Sequence, residues 1–446
     1  MSKKPLNLDY MTNSIIRKDL QHIWHPCTQM TDLERYPPLI IHKAKGSYLY
    51  TDQGVIIDGI SSWWCKVLGH NHPGVIDAIT KQLHNFEQVI LANTTYAAIV
   101  ELGESLSAIG KKQHVFFASD GSCSIEIALK LALHAKQIQG ESQRNEFIAL
   151  SNGYHGETLA CLSVSDLGLY TKPYQGYGVK CNFLKNIQYS IGMNAPLLPM
   201  QINQWEHIFP QLEALKQQCC AIILEPLVQG AGGMLCYSAE FLTKLYAWAR
   251  ANQIYFIVDE IMTGIGRTGK WLASDYAHID PDLICLSKGL TAGTIPLSCV
   301  LIDHKIFELF YNSAFLHSHT YSGNALAVAA AVAVLKIIQE EDLMTKARHL
   351  GVSMYREMLN VAKLTGELTN VRSFGAMVAA DFTELKFHNS LLKHQFQQIA
   401  ITYGVLLRPL GNTIYWLPPL NSDPAVIVKL AEATLQSILM FRNQYN

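Results

Sequence analysis

An excess of either charge is what this sequence lacks most clearly. Its 35 lysines and arginines stand against 36 aspartates and glutamates, a net charge of −1. No basic run stands out either, so no nucleic-acid footprint is expected. C-x-x-C pairs are absent, although ten cysteines are scattered between Cys27 and Cys299, two of them adjacent at Cys219 and Cys220. That pattern is neither a zinc site nor a dense disulfide framework, and it implies reduced thiols in the cytoplasm. The opening MSKKPLNLDYMTNS has no apolar core, so no secretory signal is expected. The longest apolar tract, residues 325–335, stops at Lys336; it is too short for a bilayer and reads as a buried helix. A G-x-S-x-G elbow is missing, which argues against a serine hydrolase. The histidine pairs His22/His25, His70/His72 and His317/His319 have no cysteine or acid at ligand spacing, so no metal is expected.

What is present suits a large globular enzyme. The chain has 446 residues, 49% hydrophobic and 16% charged, enough for two or three domains. Residues 1–65 read as an arm and a loop-rich prelude, with a hairpin signal at Thr51-Asp52-Gln53-Gly54. From there helices alternate with short apolar runs. Helices are expected over 73–86, 97–109, 125–138 and 241–251, and strands over 115–118, 147–150, 221–224, 254–258 and 283–286. That alternation predicts an α/β fold: a mostly parallel sheet between helices, over residues 66–325. After helices over 325–339 and 342–362, short strands near 378–380 and 414–417 predict a smaller α+β domain over 326–446, packed with the N-terminal arm.

In such a sheet a ligand sits outside the carboxyl ends of the strands. Those ends carry Ser122, Tyr154, Glu225, Asp259 and Lys288. A lone strand-end lysine most often reaches into solvent, and Gly121-Ser122 before a helix most often means N-capping by Ser122 or Ser124. Together they read differently. The lysine offers an amine for a Schiff base, the aspartate can keep a pyridine nitrogen protonated, the helix start can hold a phosphate, and the aromatic can stack on a ring. Those are the supports of a pyridoxal phosphate site. The stretch 264–269 matches G-x-G-x-x-G but lies past mid-chain without a clear helix after it, so the nucleotide reading is the weaker alternative.

At these residues the chain resembles the fold-type I pyridoxal phosphate enzymes, class III aminotransferases in particular, from about residue 24 to residue 419. The resemblance rests on WHPCTQM (24–30), SSWWCKVLGH (61–70), NGYHGET (152–158), EPLVQGAGGM (225–234), VDEIMTGIGRTG (258–269), LSKGLTAG (286–293) and LRPLGNTIYWLPP (407–419). The paired tryptophans and the last of these segments are most similar to the biotin-synthesis branch. The resemblance implies a ping-pong transfer of the amino group of S-adenosylmethionine to 8-amino-7-oxononanoate, giving 7,8-diaminononanoate, in a homodimer with shared active sites. It makes Lys288 the Schiff-base lysine and proton shuttle. Asp259 becomes the partner of the pyridinium nitrogen, and Tyr154 stacks on the ring. Gly121 and Ser122 hold the phosphate, Glu225 and His319 lie at the cofactor, and Thr320 reaches the partner subunit's cofactor phosphate. Cys27, Trp63, Trp64, Tyr154, Arg267, Ser318 and Tyr415 fall on the substrate side, and Arg408 takes the substrate carboxylate. Three positions depart from the family pattern: Cys27 where a tyrosine is usual, Glu157 for the usual aspartate, and His319 where proline is common. Another ω-amine or diamine aminotransferase, or lysine as donor, stays open at this point.

Overall fold

Mostly apolar runs of four to six residues become the strands of one large sheet, and the central ones, such as Cys219–Leu224 and Leu283–Leu286, are buried on both faces as parallel strands between helices must be. The computed structural model describes residues 14–383, 387 and 389–445; the polar opening of the N-terminal arm, residues 1–13, lies outside the described residues. The sheet has seven strands: β1 (His114–Ala118), β2 (Glu146–Leu150), β3 (Cys181–Leu184), β4 (Cys219–Leu224), β5 (Tyr255–Asp259), β6 (Leu283–Leu286) and β7 (Ser298–Ile302). Their order is β1-β7-β6-β5-β4-β2-β3. β7 runs antiparallel to both its neighbours, and the other pairs are parallel. β1 therefore points the same way as β2 to β6, and their carboxyl ends share one edge.

The expected strands all form, and two more appear, β3 and β7. Ser298–Ile302 is a fully buried and mostly apolar run two residues after Pro296. Only a single 3-10 turn, Lys288–Thr291, separates it from β6, so the alternation of strands and α-helices gave no cue to it. The helix after β1 starts earlier than expected, at Gly121 rather than near 125, and runs to Ile138; it is α1 (Gly121–Ile138). The reason is its cap: Asp120 Oδ1 accepts from the Cys123 backbone N–H at 3.1 Å. Capping therefore belongs to Asp120 and not to Ser122 or Ser124.

Two smaller sheets join distant parts of the chain. The hairpin Tyr48–Thr51/Gly54–Asp58 pairs through Gly54–Asp58 with Val405–Leu406, in parallel. Strands Leu368–Ser373, Val378–Phe382 and Thr413–Trp416 form the second, with Gly192–Met193 added in parallel at its edge. Helix Pro424–Tyr445 contains a stretch, Pro424–Gln444, long and apolar enough to cross a membrane, but half of its most apolar window is buried within the molecule.

The glycine-rich stretch 264–269 is not a phosphate cradle. It is wholly buried and closed on itself, with Ile265 N–H donating to Trp271 O at 2.7 Å. That removes the nucleotide alternative.

Candidate active site

A cavity of about 220 Å³ lies at the shared carboxyl edge of the sheet. α1 brings Gly121 and Ser122 to it, the turn after β2 brings Tyr154 and His155, and β4, β5 and β6 end at Glu225, Asp259 and Lys288. The convergence follows from strand direction, because each of these residues lies at the carboxyl end of a strand or within the few residues that follow it.

Lys288 follows β6 in a left-handed backbone conformation, φ 42°, a conformation that non-glycine residues hold only where the surroundings impose it. Burial pulls its ammonium below the ordinary lysine value, while the Asp259 and Glu225 carboxylates act against that. Its Nζ lies 5.0 Å from the centre of the Trp64 ring. The result is an amine that gives up its proton more readily than an exposed lysine, a shift in the direction a nucleophile needs.

Asp259 is buried and held from both sides. Its Oδ2 lies 2.8 Å from His155 Nδ1, and its Oδ1 accepts from the Ile261 backbone N–H at 3.0 Å. His155 is itself 2% exposed, and its Nε2 has no hydrogen-bond partner among the described residues. Glu225 accepts from the backbone N–H groups of Tyr154 (3.0 Å) and Gly230 (2.8 Å). Burial nonetheless pushes its carboxyl up to about 7; the neighbouring His155 works against the rise and Asp259 adds to it.

At the start of α1 the Gly121 and Ser122 backbone N–H groups meet no acceptor among the described residues. With the helix dipole behind them they favour an anion. The space above them depends on missing side chains. A Cβ on Gly156, at φ 118°, would stand 2.2 Å from Ser122 Oγ.

A second group of residues forms the outer part of the site. Tyr154 donates through its hydroxyl to Glu157 Oε1 at 3.1 Å, and Cys27 Sγ is 4.0 Å from the same oxygen. Burial, and then Glu157, push the Tyr154 phenol upward. Tyr170, which the sequence did not single out, stands by the same thiol, with Arg408 and Glu157 close enough to act on its hydroxyl. The Arg408 guanidinium lies 4.3 Å from the centre of the Trp63 ring and has no carboxylate partner among the described residues. The structural ion pair that would explain it away is therefore missing. Burial first, and then Arg408, hold the nearby Lys393 ammonium below its usual value. Trp64 donates from Nε1 to the Tyr415 hydroxyl at 3.1 Å, and burial raises that hydroxyl to about 12.

Other expected residues lie elsewhere. Arg267 is 1% exposed and does not line the cavity. Its Nη1 donates to Ala376 O (3.0 Å) and Pro418 O (2.6 Å), while Nε and Nη2 have no partner. Burial without a carboxylate beside it brings its guanidinium down to about 9. Ser318, His319 and Thr320 sit on an outer loop away from this cavity, Ser318 and Thr320 exposed. His155 is the main residue the sequence reading passed over. It stands between Tyr154 and Gly156, but only the fold shows that it faces Asp259. Among the described residues no three histidine, cysteine or acidic side chains cluster as a metal site, and all ten cysteines are unpaired.

The family model described as aminotransferase class-III matches residues 30–438. The chain is 37% identical over 412 residues to the adenosylmethionine-8-amino-7-oxononanoate aminotransferase of Helicobacter pylori, covering 90% of this chain and 92% of that protein. It is 34% identical over 412 residues to the protein of the same name from Synechococcus elongatus, covering 90% and 95%. Among solved structures, the adenosylmethionine-8-amino-7-oxononanoate aminotransferase of Methanocaldococcus jannaschii superposes with a TM-score of 0.87 at 28% identity, covering 96% of this chain and 99% of the other. A PLP-bound amine transaminase from an uncultivated Pseudomonas species gives 0.85 at 30% identity, covering 94% and 98%.

Proposed function

This chain belongs to the class-III aminotransferases, and from that premise we propose that it moves the amino group of S-adenosylmethionine to 8-amino-7-oxononanoate, a step of biotin synthesis that yields 7,8-diaminononanoate. One observation carries the reading: a depressed lysine amine, a buried carboxylate and a free helix N-terminus line one cavity.

The residues fit pyridoxal phosphate. A helix start with open N–H groups suits a phosphate, and the absent side chain at Gly156 leaves room beside it. Asp259 suits a protonated ring nitrogen and Lys288 an aldehyde carbon. Bound there, the cofactor supplies the electron sink that lets an amino group leave one carbon skeleton and join another. The chain does the rest. Lys288 takes the proton from the donor's α-carbon and returns it, as general base and then general acid. Its lowered pKa makes the free amine available for the first step. Asp259, fixed by His155 and the Ile261 N–H, holds its negative charge in place. Gly121 and Ser122 would hold the phosphate and Tyr154 would cover the ring, while Glu225 braces the Tyr154 turn.

On the substrate side, Arg408 grips the carboxylate of 8-amino-7-oxononanoate, and Trp63 and Trp64 flank its carbon chain. Aromatic faces also suit the sulfonium of the donor. Tyr415 acts by holding Trp64. Cys27 and Glu157 line the outer rim. Arg267 braces the segments at Ala376 and Pro418, so its part is indirect.

The active form is read as a cytoplasmic homodimer. Leu316, Tyr321 and Ile90 are 86%, 62% and 68% exposed, and their segments are tied together where Gln88 Nε2 donates to Thr320 O at 2.9 Å. Such an apolar patch suits a second copy, with Ser318, His319 and Thr320 serving the partner's site. The parts within each copy are an arm (1–65), a cofactor-binding domain (66–325) and a small domain (326–446). The pairing of Gly54–Asp58 with Val405–Leu406 supports grouping the two chain ends.

The test is turnover of the purified protein, followed by mass spectrometry for 7,8-diaminononanoate. S-Adenosylmethionine should support it and lysine should not. Product with lysine alone would keep the family and change the donor. Lys288→Ala should lose turnover by at least about a thousandfold.

A further inference from the structure

Four consecutive residues without a glycine, Ser61–Trp64, are left-handed. Their φ angles are 49°, 45°, 68° and 75°, with ψ 57° at Ser62 and 44° at Trp63. The segment is a left-handed helical turn, closed by Trp64 N–H to Ile60 O (3.0 Å) and Cys65 N–H to Ser61 O (3.0 Å). L-residues visit this region singly and do not build turns of it unless something else holds them there.

The holding group is a buried carboxylate. Asp58, 1% exposed, accepts from Ser62 Oγ at 2.7 Å and from His70 Nε2 at 2.8 Å through Oδ2, and from the Ile60 N–H at 3.3 Å through Oδ1. His70 is anchored in turn. It exchanges backbone hydrogen bonds with Gly46, N–H to O at 2.8 Å and O to N–H at 2.9 Å. The carboxylate thus ties the turn to the N-terminal hairpin.

The turn has a consequence at the site. In an extended segment consecutive side chains point to opposite faces. Here Trp63 lies under Arg408, while Trp64 faces Lys288 and lines the cavity, so two neighbouring indoles meet the two cations of the proposed site. We propose that Asp58, His70 and Ser62 form a clamp that holds Ser61–Trp64 left-handed and so sets the tryptophan wall for the substrate chain. Asp58 and His70 are positioning residues; the identity of the substrate rests on the function proposed above.

The experiment compares holoenzyme variants by steady-state kinetics with 8-amino-7-oxononanoate and by near-ultraviolet circular dichroism, which reads the tryptophan environment. Asp58→Asn keeps the shape but not the charge. It should raise KM about tenfold or more, leave kcat within about threefold, and alter the tryptophan bands while the far-ultraviolet spectrum stays as in the wild type. His70→Ala should behave alike, and His70→Gln, which keeps a donor, should stay near the wild type. Ser61 lies outside the clamp and its Oγ has no partner. Because glycine takes the left-handed conformation freely, adding Ser61→Gly to Asp58→Asn should return KM to within about threefold of the wild-type value. An unchanged KM with unchanged tryptophan bands in Asp58→Asn would overturn the clamp. So would an equal loss in kcat and kcat/KM that Ser61→Gly does not relieve. If the wild type does not turn over 8-amino-7-oxononanoate, the functional reading fails. The tryptophan bands of Asp58→Asn, with and without Ser61→Gly, then decide the clamp alone.

Discussion

Lys288 and Glu225 show opposite effects of the same burial. Removing water disfavours whichever form is charged, so the lysine moves down and the glutamate moves up. For Lys288 the outcome is reactivity. In the cofactor-free protein, 2,4,6-trinitrobenzenesulfonate at neutral pH should modify one lysine faster than the rest, and Lys288→Ala should abolish that fast phase. For Glu225 the outcome is a pH dependence of stability. An unfolded glutamate titrates near ~4.3, whereas the folded one is pushed up to about 7. The folded protein therefore keeps a proton that the unfolded chain releases. The stability this contributes is full below the unfolded value and is lost as pH rises through about 7. Glu225→Gln carries no titrating proton, so urea midpoints from pH 5 to 8 should decline less steeply in that variant. Both residues were legible in the sequence as polar groups at strand ends. The size and sign of their shifts were not, since these depend on what surrounds them.

At the scale of an element, the start of α1 is decided by three short-range facts. Asp120 caps it, Gly121 leaves its backbone open to the cavity, and the turn 153–156 passes over it. That passage is possible only because Gly156 has no side chain and sits at φ 118°. Gly156→Ala should destabilise the fold by about 1–3 kcal/mol in urea unfolding and weaken cofactor retention on dialysis, because its Cβ drives against Ser122. Retention equal to the wild type would mean that Ser122 does not shape the phosphate site. The pair Gly121-Ser122 was visible in the sequence as a candidate cradle. Capping by Asp120 was not separated there from capping by Ser122 or Ser124, because several side chains at a helix start can reach the same N–H and only the backbone angle decides which does.

For the whole molecule, the outer loop with Thr320 is the part that one copy does not explain. If Thr320 serves the partner's site, a mixture of two inactive variants becomes informative. Lys288→Ala and Thr320→Ala chains, unfolded together and refolded, should regain activity under the proposed homodimer. In a mixed dimer one site then holds an intact lysine from one copy and an intact threonine from the other. If Thr320 serves its own site, every site keeps a defect and the mixture stays inactive. A sedimentation measurement with Leu316→Glu should show a shift toward monomer, as a buried charge is costly at an apolar contact.

The sequence by itself determined five of the seven strands of the large sheet, because short apolar runs set between helical stretches read as strands, whereas β3, with Asn182 in its middle, and β7 escaped it. It also determined the chemical inventory at their ends: Glu225 directly follows one such run, Asp259 closes another, and Lys288 and Tyr154 stand in the short segments just past theirs. Only the tertiary structure decided which neighbours these groups keep. Nothing in the local pattern relates His155 to Asp259 across about a hundred residues, or Asp58 to the handedness of the Ser61–Trp64 turn. Nor does it separate Arg408, which stacks on Trp63 and has no carboxylate partner among the described residues, from Arg267, which is buried and spent on two carbonyls. Local sequence sets which backbone conformations are cheap, while long-range packing sets which charges meet and which strained turns are held.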